Sequence, residues 1–246
     1  MSFIIFKNIE KAFDDNVIYR GLNLSIKKGE TITIIGGSGS GKSVLLKMMI
    51  GLLKPDSGEI IVDKNNVVDL SKEELVKVRS RVGMLFQGAA LFDSINVGDN
   101  VAYGLKMHTD LTKDKIDKKV NRCLEMVGLP KINGMMPSDL SGGMKKRVAL
   151  ARAIAYDPEI ILYDEPTTGL DPTNAKRINN LIIELQKLLK VTSIIVTHDM
   201  DSAFSVSDRM AMLYKGKIEA VGTTDEIRKS KEAVVNDFIR GNIGEL

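Results

Sequence analysis

The first hydrophobic positions read as short strands. Residues 3–6 and 17–19 are short apolar runs, and Leu22-Asn23-Leu24-Ser25-Ile26 alternates apolar with polar, as half-buried strands do. Thr31 to Ile35 reads as a strand that runs into a glycine-rich loop, and an apolar helix is expected over residues 43–53. Pro55, Asp56, Ser57 and Gly58 mark a turn ahead of a strand over 59–63. The period then changes: Ile116, Val120, Cys123, Leu124 and Val127 recur at helical spacing, with Lys and Asp on the opposite face. Gly128, Pro130, Gly134 and Pro137 form a loop before a helix over 144–155. A buried strand over 159–163, a helix over 174–190 and an apolar strand over 193–196 follow. Helices alternating with buried apolar strands imply an α/β fold with a parallel sheet. The pattern predicts one domain over residues 1–222, with a helical subdomain inserted at 93–156, and a short charged helical tail over 223–246.

Composition narrows this. The 246 residues are 43% hydrophobic and 27% charged, enough for one sizeable core or a core plus a small subdomain. The 35 basic and 32 acidic residues leave a formal charge of +3, too mild and too dispersed to argue for a nucleic-acid partner. The single cysteine, Cys123, excludes an intrachain disulfide and a cysteine-rich zinc module. The apolar run at 3–6 is too short for a signal peptide. No stretch approaches the ~18 apolar residues that span a bilayer, so work at a membrane would require a partner.

The chemistry begins at Gly36-Gly37-Ser38-Gly39-Ser40-Gly41-Lys42-Ser43, which fits G-x-x-x-x-G-K-[ST] between a strand and a helix. Glycines let the backbone wrap phosphates, and successive N–H groups and the helix N-terminus direct positive dipoles at them. Lys42 is expected to reach the β- and γ-phosphates, and Ser43 to hold Mg²⁺. The competing reading is a ligand-free glycine turn. The motif alone leaves kinase, GTPase, helicase and transporter ATPases open. Further on, Ile160-Ile161-Leu162-Tyr163 ends in Asp164-Glu165. Two carboxylates at the C-terminal end of a buried strand lie where α/β sheets bind ligands; Asp164 suits Mg²⁺ through a water, and Glu165 suits a general base for the attacking water. A strand-end turn with solvated acids is the alternative.

Leu140-Ser141-Gly142-Gly143-Met144 narrows the choice. With it the chain resembles the ABC ATPases, whose signature is usually LSGGQ. The resemblance implies a RecA-like P-loop NTPase core with an N-terminal antiparallel β subdomain and an inserted helical subdomain. Phe13 stands where the family stacks an aromatic on adenine, Gln87 at the Q-loop position that reaches the metal, Asp171 in the D-loop, and His198 as the switch histidine. Val44 joins the phosphate loop residues in the nucleotide-binding set, while His108, with no motif around it, reads as structural. A serine hydroxyl and glycine N–H groups at a helix N-terminus make a second phosphate cradle. In the family, Ser141, Gly142 and Gly143 of one copy close over the ATP of the other in an isologous pair. Met144 departs from the usual glutamine, but the serine and glycines carry most of the phosphate binding, so activity is expected to survive.

Residues 85–93, 140–153 and 235–241 resemble the MCE-associated (Mla/Mkl-type) phospholipid-trafficking ATPases. That resemblance implies ATP and Mg²⁺ as cofactors and an ATPase on the cytoplasmic face of the inner membrane. Its partners would be a second copy, a multi-span permease, an MCE-domain lipid-binding protein and a small STAS-type regulatory subunit. Leu91, Phe92, Ile95 and Val97 look exposed and would receive a permease helix; packing within the helical subdomain is the alternative. The competing functions are an amino-acid or anion importer and a non-transport ABC protein. There is no room for a long coiled coil, no cysteine set for zinc and one cassette only, which disfavours the DNA- and ribosome-acting types. A small-molecule kinase would need an acceptor pocket in place of residues 140–144.

Overall fold

The computed structural model describes residues 2–241, so residues 242–246 of the expected tail lie outside the described residues. The chain divides into two compact units: residues up to Arg79 together with those from Thr192 onward, and Ser80–Val191.

In the first unit, β1 (Ser2–Phe13) and β2 (Asn16–Lys27) pair antiparallel, with Phe6 opposite Leu24. The two short runs at 17–19 and 22–26 are therefore one strand. It continues through Gly21 at φ 75°, and the register shift between Phe6 and Ile9 is bridged by side chains. The Asn8 amide donates to Asn23 Oδ1 at 2.9 Å, and Asn23 Nδ2 donates to Asn8 Oδ1 at 3.0 Å. After β3 (Thr31–Ile35) comes α1 (Lys42–Met49), four residues shorter at its C-terminus than the expected end at 53. The apolar pattern continues, but Gly51 takes φ 65° with Leu75 Cδ2 2.6 Å from where a Cβ would stand. The helix ends there, with Leu52 N–H closing back on Lys47 O at 2.9 Å. Next, β4 (Ser57–Val62) pairs with β1, placing Ile61 opposite Ile5, and β5 (Asn65–Asn66) completes the antiparallel sheet β2-β1-β4-β5. α2 (Lys72–Ser80) follows.

The second unit holds β6 (Val82–Leu85), then α3 (Val97–His108), α4 (Lys113–Met126) and α5 (Gly142–Ile154), then β7 (Ile160–Asp164) and α6 (Pro172–Leu189). β6 and β7 are parallel, Met84 facing Leu162, and α3 packs on α4 and α5. The helical stripe Ile116, Val120, Cys123, Leu124 and Val127 is buried. Among the residues expected to be exposed after Gln87, Phe92 is exposed, but Val97 is fully buried as the first residue of α3. There its N–H bonds Met135 O at 2.9 Å, so Val97 belongs to the core. Helix α5 starts two residues earlier than expected because Ser141 caps it: Ser141 Oγ accepts from Met144 N at 3.3 Å.

The chain then returns to the first unit through β8 (Thr192–Thr197), α7 (Met200–Val206), β9 (Arg209–Tyr214), β10 (Lys217–Thr223), α8 (Thr224–Arg228) and α9 (Ala233–Ile239). β3 lies between β8 and β9, parallel to both, and β10 is antiparallel to β9. Every residue of β3 and β8 is buried, as parallel strands covered on both faces require. The tail is anchored: Val235 of α9 is fully buried against Ile35, Ala203, Met210, Met212 and Ile227.

Candidate functional site

In the first unit, β3 delivers the glycine loop to α1. Gly36 is held close to β9, since a Cβ there would stand 2.5 Å from Leu213 O. Gly41 caps α1 at φ 100°, with Ile18 Cγ2 only 2.5 Å from its absent Cβ, a combination open to glycine alone. The buried Tyr19 hydroxyl donates to Gly41 O at 2.6 Å, and burial drives that phenol far above its ordinary pKa. No side chain caps the N-terminus of α1, and its first turn holds no acidic residue, so the helix end keeps its positive character. Lys42 is buried and folds back over the loop, its Nζ donating to Gly36 O and Gly37 O, each at 2.8 Å. Ser40 Oγ is buried without a hydrogen-bond partner, and Ser38 and Gly39 at the loop tip are exposed. A hydroxyl without a partner, a lysine poised on carbonyls and an uncapped helix end suit a polyanionic ligand.

Phe13, at the end of β1, is 42% exposed with Lys11 Nζ 5.1 Å from its ring centroid. Val17, Ile18, Gly39, Ser40 and Lys217 line an open cleft of about 630 Å³. Ile35 of β3 pairs with Thr197 of β8, which brings Gly36 and His198, one residue beyond each, to the same sheet edge. His198 is exposed there, and the next residue, Asp199, caps α7 by accepting from Ser202 N at 3.2 Å.

In the second unit, β7 delivers Asp164 and Glu165, both buried at 7% and 8% exposure. Glu165 has a left-handed backbone, φ 48°, held from two sides. Lys146 Nζ donates to its carbonyl at 3.0 Å, and Thr168 Oγ1 donates to its Oε2 at 3.1 Å. Burial lowers the Lys146 pKa, opposed by the charges of Glu165 and Asp164. On the neighbouring strand, Leu85 pairs with Tyr163, and Gln87 follows, exposed.

The signature lies at the N-terminus of α5, where Ser141 and Gly142 are exposed and the first turn carries no acid. Gly143 is buried against Asn174, whose Cγ is 3.3 Å from the position of a Cβ. Asn174 also ties to Asp171, the cap of α6: its backbone N–H donates to Asp171 Oδ1 at 3.0 Å and its Nδ2 to Oδ2. These bonds hold the Asp171 carboxyl below its ordinary pKa. Asn174 thus joins the D-loop to the signature. Sequence reasoning passed over it, although the Asp-Pro-x-Asn spacing of a helix cap is visible at 171–174. Lys146 was also passed over and gives no such signal. Among the described residues, no group of three or more His, Cys, Asp or Glu could hold a metal by itself.

The family model described as "ABC transporter" matches residues 19–168. The chain belongs to the ABC transporter family. As an ABC ATPase it binds ATP and hydrolyses it in a reaction coupled to transport, on the P-loop ABC ATPase fold. It is similar to the "Intermembrane phospholipid transport system ATP-binding protein MlaF" of Haemophilus influenzae, 45% identical over 235 residues, covering 96% of this chain and 89% of that protein. The "Probable ribonucleotide transport ATP-binding protein mkl" of Mycobacterium leprae is 40% identical, covering 96% and 68%. Among solved structures, cbiO1 from Clostridium perfringens, part of the ABC transporter complex cbiONQ, superposes with a TM-score of 0.86 at 33% identity, covering 97% and 95%. The ATP-binding cassette MJ0796, in a dimeric post-hydrolysis state bound to ADP and Pi, gives 0.82 at 33%, covering 90% and 98%. Among the described residues of this ABC ATPase, no helix is long and apolar enough to cross a membrane.

Proposed function

We propose that this ABC ATPase powers phospholipid movement between membranes, working as a pair of copies on a multi-span permease at the cytoplasmic face of the inner membrane. The lipid assignment is supported by the 45% identity to the MlaF protein of H. influenzae. The pairing is supported by one observation: a single chain presents two acid-free helix N-termini rich in glycine and serine, at α1, where no side chain caps it, and at α5, whose exposed cap is Ser141. One triphosphate needs both, so the second comes from a partner copy. In this reading Phe13 stacks on adenine, and the loop Gly36 to Val44 cradles the phosphates with Lys42 as countercharge. Ser141, Gly142 and Gly143 close on the γ-phosphate from the other copy, with Asp171 ordering that junction.

Glu165 takes a proton from the attacking water, and His198 hydrogen-bonds the γ-phosphate; the products are ADP and phosphate. Ser43, Asp164 and Gln87 are the side chains that would hold Mg²⁺. So few protein ligands suit Mg²⁺, which would supply charge neutralisation there. Phe92 and Tyr103, whose tilted rings lie 4.7 Å apart between centroids and which are both exposed, form with Leu91 and Ile95 the face that receives the permease. An MCE-domain lipid-binding protein and a small STAS-type subunit complete the proposed complex.

The test uses the full complex in lipid vesicles. Ser141→Arg keeps nucleotide binding by the single chain and blocks pairing and turnover, while Glu165→Gln binds ATP and traps the closed pair. Normal hydrolysis by Ser141→Arg refutes the shared site. Mass spectrometry of the purified complex that finds no bound phospholipid refutes the lipid assignment.

A further inference from the structure

Lys146 sits in the second turn of α5, inside the basic run Lys145-Lys146-Arg147. Lys145 and Arg147 keep partial contact with solvent, and Lys146 is only 5% exposed. A buried ammonium is costly unless its protons are used. Here one proton goes to Glu165 O at 3.0 Å. That carbonyl belongs to a residue with φ 48°, a left-handed conformation that a non-glycine side chain keeps only where its surroundings hold it. The same residue's carboxylate takes the Thr168 hydroxyl at 3.1 Å. Glu165 is therefore gripped by its backbone from α5 and by its side chain from the turn that follows β7.

We propose that Lys146 is a positioning residue for hydrolysis: its bond to the Glu165 carbonyl fixes the left-handed turn that orients the Glu165 carboxylate. The inference rests on Glu165 being the base. It ties the signature helix to the base within one chain, because Ser141 caps the helix that carries Lys146. Movement of α5 against a partner's nucleotide is thereby transmitted to the base by a hydrogen bond.

The experiment compares the full chain with its Lys146→Met, Lys146→Arg, Lys146→Gln and Glu165→Gln variants. It measures kcat, KM, binding of a fluorescent ATP analogue and the melting temperature. A base released from its orientation loses on the order of 10- to 100-fold in rate. Lys146→Met is expected to lose that much in kcat, with KM and analogue binding within about twofold of the parent. Lys146→Arg is expected to recover most of kcat, because a guanidinium can donate to the same carbonyl. If Lys146→Met does not fold, Lys146→Gln, whose shorter side chain stops before the carbonyl, carries the same expectation. Parental kcat in the Met or Gln variant overturns the proposal. So does a fall in kcat that Lys146→Arg fails to restore and that tracks the melting temperature. Parental hydrolysis by Glu165→Gln would instead sink the base assignment, so the two failures are told apart.

Discussion

Asn100 offers a test of how the loop after Gln87 is held. It lies in α3, fully buried. Its Nδ2 donates to the carbonyls of Phe92, Ile95 and Asn96, each at 3.0 Å, and its Oδ1 accepts from Phe92 N at 2.8 Å. One carboxamide thus closes the loop that presents Phe92 onto the helix that follows. Asn100→Leu keeps the branched side-chain shape and removes every one of these bonds. A carboxamide has two N–H groups to share among the three carbonyls, so about three full hydrogen bonds are at stake, or ~3 kcal/mol at about 1 kcal/mol net each. Phe92 is exposed, so its freed groups can turn to water, which lowers the expected cost to roughly 2 kcal/mol. That is about a 30-fold change in the loop-opening equilibrium. Hydrogen–deuterium exchange should show the Phe92 amide exchanging about 30-fold faster in Asn100→Leu, with the amides of β7 unchanged. Unchanged exchange at Phe92 would mean that the carboxamide does not hold the loop.

Lys42→Ala removes a countercharge and the donor that braces Gly36 O and Gly37 O; nucleotide binding should fall by more than about 100-fold by fluorescence titration, the scale of a lost charged hydrogen bond of roughly 3 kcal/mol, and a Kd within tenfold of the parent would refute the cradle. Cys123 is buried, and burial pushes its thiol up from its ordinary 9.0 to about 11, with Lys119 and Arg122 pulling down and Asp157 pushing up. The unfolded chain therefore deprotonates first: the stabilisation is fully present below pH 9 and is lost as pH rises through about 11. The parent should lose on the order of 2–3 kcal/mol more than Cys123→Ala across that window in urea unfolding, and parallel pH profiles would refute it.

The sequence reached furthest where chemistry is written in contiguous residues. The phosphate loop, the acidic pair ending an apolar strand, the serine-capped glycines at 141–143 and the Ile116–Val127 stripe each declare themselves through local spacing, because caps, turns and periodicity are short-range properties. Three features needed the fold. His198 stands at the edge where Gly36 begins only because β3 and β8 pair in parallel register, a contact between segments far apart in the chain. Val97 looked exposed beside Phe92, yet it is core, since helix α3 starts at that residue. Lys146 stands in a basic run with nothing local to mark it; it is withdrawn from water by the packing of α5, onto a carbonyl nineteen positions later. Burial and register are settled by which surfaces meet, and local periodicity carries no record of the partner surface.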